Sequence, residues 1–222
     1  MENSQRRIRI LEEMTRALYR EWFLCGERRG RPGRFGDIAT LVREGINPSE
    51  FPDQEFEHFS IPSFDDGRTP AVELGEAILS NKYSIDGSCV LLSKLNPRIP
   101  RVWLPKPFGA HRAITSTEFL VLKPKAGFTC EFIYAQCSSE EFAGQFASLA
   151  IGTSTSHQRV KPESLLSMRS EIPGSDTVAR FSKLVAPMLE MSQNLRVRFQ
   201  NLRRTRDLLL PRLLSGEIEV AA

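Results

Sequence analysis

Lysine, asparagine and arginine fall close together in Val90–Trp103, VLLSKLNPRIPRVW. An apolar run delivers Ser93, Lys94 and Asn96 to a turn at Pro97, and Arg98 and Arg101 follow. Lysine and arginine neutralise phosphates, while asparagine can pair bidentately with adenine and arginine with guanine. The same residues also suit a solvated loop in which Asn96 stabilises its own turn, and composition leaves the two readings level. A second stretch, Gly152–Pro162 (GTSTSHQRVKP), offers small donors at Ser154, Thr155 and Ser156, then His157, Gln158, Arg159 and Lys161. Hydroxyls and amides on such a loop can satisfy the oxygens of a nucleic-acid backbone at close range. The loop lacks the GK[ST] ending of a P-loop, and an ordinary polar loop is its other reading.

Other chemistry finds less support. Methyl transfer to a base needs a cofactor pocket and a polar loop at the flipped base. No glycine-rich cofactor loop follows a strand, and Asn96-Pro97-Arg98-Ile99 is not an Asn-Pro-Pro-aromatic motif. Nuclease chemistry needs clustered carboxylates for metal, whereas Asp65-Asp66 precede Gly67 in what reads as a turn. Cys25, Cys89, Cys130 and Cys137 form no CxxC pair, and the three histidines complete no zinc spacing. Reduced cysteines, no catalytic residue, no metal and no bound cofactor are therefore expected.

The elements that would carry these stretches can be read from periodicity. Ile8, Leu11, Met14, Leu18 and Trp22 recur at helical spacing, which predicts an amphipathic helix over 4–24 with Ser4 as its cap. The basic, glycine-rich segment 27–36 reads as a linker. Over 37–175 turn signals recur often. Strands are expected at 89–92, 101–104 and 118–122, with a helix at 139–150 capped by Ser139. This mixture predicts a compact α+β domain with a curved, loop-rich sheet. Beyond it, Asp176 can cap a short helix, and Pro187 can open a longer one of about 25 residues, roughly 35–40 Å long. Pro211 would kink that helix and Gly216 would end it. Leu195, Phe199, Leu202 and Leu209 give it an apolar stripe that Leu11 and Leu18 of the first helix can cover in part, the rest being left for another subunit. The alternative is that the stripe folds onto the domain. The expected units are 1–26, 27–175 and 176–222.

The chain has 222 residues, 41% of them hydrophobic, so a sizeable core is possible. A net charge of +3 permits a nucleic-acid partner without requiring one. No apolar run approaches the roughly 20 residues that span a bilayer, and the charged start MENSQRRIRILEEM is not a signal peptide. A soluble, cytoplasmic protein is expected.

Taken together, these stretches resemble the specificity subunits of type I restriction-modification systems. VLLSKLNPRIPRVW is similar to that family's target-recognition-domain motif. FSIPSFDDGRTP (Phe59–Pro70) and ILSNK (Ile78–Lys82) are similar to its upstream segment, and GTSTSHQRV to its Gly/Ser/Thr-rich loop. LRRTRDLLLPRLLSGEIEV resembles the close of the family's spacer helix, and QRRIRILEEMTRALYREWF the end of the other spacer. The resemblance implies a target recognition domain flanked by N- and C-terminal helices that form an antiparallel spacer. It implies a non-catalytic subunit that binds double-stranded DNA at a bipartite site and holds methyltransferase (M) subunits, which use S-adenosylmethionine. A restriction (R) subunit can join them. A full specificity subunit has two recognition domains; this chain has one. It is therefore expected to homodimerise or to pair with another half-subunit, and an isologous dimer would read an interrupted palindrome. A stand-alone DNA-binding regulator or decoy, and a helix-mediated protein-assembly module, stay open as alternatives.

Overall fold

The structure, a computed structural model, describes residues 2–25, 30–151 and 158–218. Helix α1 (Glu2–Tyr19) runs on through a wider π-helical turn, Arg20–Cys25. Strands β1 (Arg31–Arg34), β2 (Ala39–Val42), β3 (Gly45–Ile46) and β4 (Glu55–Phe59) precede a short helix α2 (Ile61–Asp65). Then come β5 (Ala71–Leu74), β6 (Lys82–Ser84), β7 (Val90–Ser93), β8 (Val102–Trp103), β9 (Arg112–Ser116) and β10 (Phe119–Pro124). Helices α3 (Cys130–Cys137) and α4 (Glu140–Ser148), strands β11 (Ala150–Ile151) and β12 (Arg159–Val160), helix α5 (Pro162–Ser167) and strand β13 (Arg169–Ile172) lead into α6 (Ser175–Leu214).

The sheets follow from which strands are apolar on both sides. Every residue of β7 is buried, as are the first four of β10, so these two must lie between layers. They form the middle of an antiparallel sheet in the order β2-β10-β7-β8. On one face Val90, Leu92, Leu120 and Leu122 join a core shared with α3, α4 and both long helices. On the other, Leu91, Phe119 and Val121 meet Phe59 and Ala113 of a second sheet, ordered β3-β6-β9-β4-β5. In that sheet β4 and β9 run parallel and the other pairs antiparallel. The molecule is thus helices, sheet, sheet. The expected α+β class and loop-rich sheet are what the structure shows, and Ser139 caps α4 by accepting from the Phe142 N–H.

Helices α1 and α6 pack antiparallel. Glu12 of α1 meets Arg196, whereas Tyr19 meets Phe181, earlier in α6. At their base Phe23 lies 5.1 Å from both Phe132 and Phe181, edge to face, an arrangement aromatic quadrupoles favour. The buried face of α1 is Ile8, Thr15, Tyr19 and Phe23. Leu11 and Leu18 are half-buried beside it, and the expected stripe is corrected at Met14, which is exposed. Ser4 lies inside the helix, which already begins at Glu2.

The larger correction concerns the C-terminal helix. There is no break at Pro187: α6 is one helix of 40 residues, about 60 Å long. Proline removes one N–H and disrupts the bond to the carbonyl four residues back. Here that carbonyl belongs to Lys183, and both residues are exposed, so water can satisfy it. Val178, Phe181, Val185 and Leu189 hold the flanking turns to the core. Gly174 takes the N-cap position, and Asp176 sits in the first turn. Gly216, at φ 74°, follows the C-terminal end as expected. The segment 27–36 is also corrected, since Arg31–Arg34 pairs with β13 as a strand. Among the described residues no helix is long and apolar enough to cross a membrane.

Candidate nucleic-acid interface

Strand β7 ends at Ser93, whose hydroxyl donates to the Leu95 carbonyl and starts a turn. Asn96 adopts φ 48°, a left-handed conformation that asparagine tolerates better than most residues. Its carbonyl accepts from the Ile99 N–H at 2.9 Å, closing the turn around Pro97. Arg98 projects into solvent at the tip. The chain then returns, and the Ser93 N–H donates to the Arg101 carbonyl.

The structure brings the second basic stretch against this turn. The Asn96 N–H donates to the Gln158 carbonyl at 2.9 Å, and the Val160 N–H donates to the Lys94 carbonyl at 3.1 Å. Leu95 and Arg159 form an antiparallel bridge. The Lys94 N–H donates to the Glu118 carbonyl in the turn between β9 and β10. Lys94, Asn96, Arg98, Gln158, Arg159 and Lys161 therefore share one rim, knit by backbone bonds between segments far apart in the chain. Ser154, Thr155, Ser156 and His157 lie outside the described residues.

Two of the arginines have partners. Arg159 is clasped by Glu118, whose two carboxylate oxygens lie 3.1–3.2 Å from Nε and Nη2. The pair is open to water, where such pairs contribute little and exchange readily. Arg101 is different. Its Nε and Nη2 donate to the two Asp65 oxygens at 2.8 and 2.9 Å, and its side chain is only 11% exposed. This arginine joins the turn to α2 instead of facing solvent.

The FSIPSFDDGRTP stretch links the domain to the helices. Ser60 caps α2 by accepting from the Ser63 N–H. Asp65 holds Arg101, and Asp66 holds Arg203 of α6 at 2.8 Å. The Gln200 amide donates to the Asp66 carbonyl. Gly67 takes φ 129°, and a Cβ there would strike that same amide. Arg68 and Arg196 both donate to Oε1 of Glu12, at 2.8 and 2.5 Å, and Glu12 is only 14% exposed. One carboxylate thus ties α1, α6 and the turn after α2 together. No spacing rule signals this joint in the sequence; the residues lie up to 184 positions apart.

The subunit-interface candidates divide. Leu11, Leu18, Leu195 and Phe199 are half-buried within the molecule, whereas Leu202 is 49% and Leu209 41% exposed. Leu208, Leu210 and Leu214 are exposed beside them, so the far end of α6 is an uncovered apolar tip.

Among the described residues no three His, Cys, Asp or Glu side chains gather as a metal site. The four cysteines are unpaired, and burial pushes the Cys89 thiol up to about 12. Burial also holds the His58 imidazole below its usual range, although Glu73 lies 2.5 Å from Nδ1.

No protein-family model and no curated protein sequence matches the chain. Solved structures do. A chain from work on complex assembly and conformational transition of the type I R-M system is 22% identical, with a TM-score of 0.60 over 86% of this chain and 50% of that one. The HsdS subunit from Thermoanaerobacter tengcongensis is 21% identical, with a TM-score of 0.57 over 83% of this chain and 48% of its own. The type I restriction-modification S subunit from M. genitalium is 13% identical, with a TM-score of 0.62 over 94% and 55%. The chain has the fold of a type I S subunit. It spans about half the length of the solved chains it matches.

Proposed function

We propose that this chain is a half-length DNA-specificity subunit of a type I restriction-modification complex. Its rim binds one half of a bipartite duplex site, and α1 with α6 hold that rim at a fixed distance from a second reader. The carrying observation is the joining of two basic, amide-bearing segments into one rim on a domain with the S-subunit fold. Lys94, Arg98 and Lys161 serve phosphates, while Asn96 and Gln158 read base edges. Ser154, Thr155, Ser156 and His157 belong to the same reading through the resemblance of their stretch.

The exposed leucines of α6 suit a second copy of this chain or another half-subunit, as well as methyltransferase subunits. Methylation, with S-adenosylmethionine, and any cleavage then belong to the M and R subunits of a cytoplasmic complex, and this chain adds no catalysis. The test is selection of duplexes from a randomised pool by the purified full chain, with the methyltransferase it accompanies. Enrichment of two short motifs separated by a fixed gap, with affinity falling steeply as salt rises, is expected. Salt-insensitive binding with no enriched motif would favour a protein-assembly module. A single continuous motif bound without the methyltransferase would favour a stand-alone regulator or decoy.

A further inference from the structure

A groove opens where the two large sheets meet, beside the rim. Its polar wall is made by Arg43, Tyr83, Lys94, Thr117 and Glu163, over a floor from β2 and β10. Sheet order brings them together. Arg43 follows β2, whose Val42 lies opposite Val121 of β10. Tyr83 of β6 lies opposite Thr115 of β9. Thr117 sits in the turn that carries the chain from β9 to β10, and Lys94 is bonded to that turn through Glu118.

Among the described residues, the Lys94 ammonium and the hydroxyls of Tyr83 and Thr117 have no hydrogen-bond or ion-pair partner. Lys94 is half-buried. Arg43 has a loose pair with Glu163 at 3.5 Å, both ends exposed. Two basic side chains and two that carry hydroxyl donors line one concavity, which suits a singly charged group with several acceptor oxygens.

We infer that this groove seats one backbone phosphate of the DNA that runs past the rim. The inference rests on the DNA-binding reading above and names Arg43, Tyr83 and Thr117, which that reading lacks. Lys94 and Arg43 supply the charge, the Tyr83 and Thr117 hydroxyls donate to phosphate oxygens, and the phosphate displaces Glu163 from Arg43.

The test is anisotropy titration of the full chain with a mixed-sequence duplex between about 50 and 200 mM salt. Because both cations serve one phosphate, Arg43→Ala/Lys94→Ala lowers the slope of log affinity against log salt by about one, no more than Lys94→Ala alone. Tyr83→Phe weakens binding about two- to tenfold at every salt concentration. Glu163→Gln strengthens binding, a gain that misfolding cannot mimic. Wild-type protein that binds while the double variant and Glu163→Gln keep its slope and affinity overturns the groove and Lys94 as a phosphate contact, and leaves the rest of the DNA reading intact. Wild-type protein that binds no duplex overturns both. Inorganic phosphate that binds wild type but not the double variant, and that duplex fails to displace, assigns the groove to a free anion and overturns the inference.

Discussion

Asn96 and Gln158 are adjacent because their backbones are bonded, so each side chain starts from a fixed point on the rim. Asn96→Ala or Gln158→Ala should relax base preference at one position of the site, by about 1–3 kcal/mol, in competition assays with single-base variants. Arg98→Ala should weaken every duplex alike and leave the melting temperature unchanged, because Arg98 is exposed. Arg101→Ala should do the reverse of a phosphate contact. Losing its two bonds to Asp65 should lower stability by about 1–3 kcal/mol in denaturant unfolding. Sequence composition could not separate these arginines, since only the fold puts Asp65 beside Arg101. Acid stability offers another check. Bonds from Lys123 and Ser88 hold the Asp86 carboxyl down at about 2, below its usual 3.8. The stability this adds is complete above about pH 4 and is lost as the pH falls toward 2. Melting curves of wild type and Asp86→Asn should converge across that window.

At the scale of elements, α6 does two jobs along one length. Its first half closes the core through Phe181, Val185 and Leu189; its last turns expose leucines. The expected stripe thus divides, half-buried at Leu195 and Phe199 and exposed at Leu202 and Leu209. The stripe was legible as 3/4 spacing, but the continuity through Pro187 was not. A proline reads as a break, and only the solvent exposure of Lys183 and Pro187 shows why the helix tolerates it. Pro187→Ala should therefore stabilise the protein, by about 1–3 kcal/mol in denaturant unfolding. Leu202→Asp with Leu209→Asp should leave monomer stability unchanged and abolish assembly in sedimentation experiments. Assembly at the wild-type level would remove the helix tip as an interface. The buried strands β7 and β10 were legible as short apolar runs, and β8 lay within the strand expected at 101–104, whereas the two-residue strand β3 carries too little pattern to be read.

At the scale of the whole molecule, the sheet-bearing domain and the helices are joined by Glu12, Asp66, Gly67 and Gln200. Removing the carboxylate in Glu12→Ala strands two partly buried guanidinium groups and should cost about 2–3 kcal/mol of stability. The order helix, domain, helix could be read from composition shifts and periodicity. The joint could not, because it is built from charges scattered along the chain that pair only after folding. The most direct measurement of the central claim is the adenine methylome of cells with and without this gene. Loss of methylation at one interrupted motif on deletion, and its return on complementation, is the predicted result. A methylome that stays the same when the gene is removed would contradict the account.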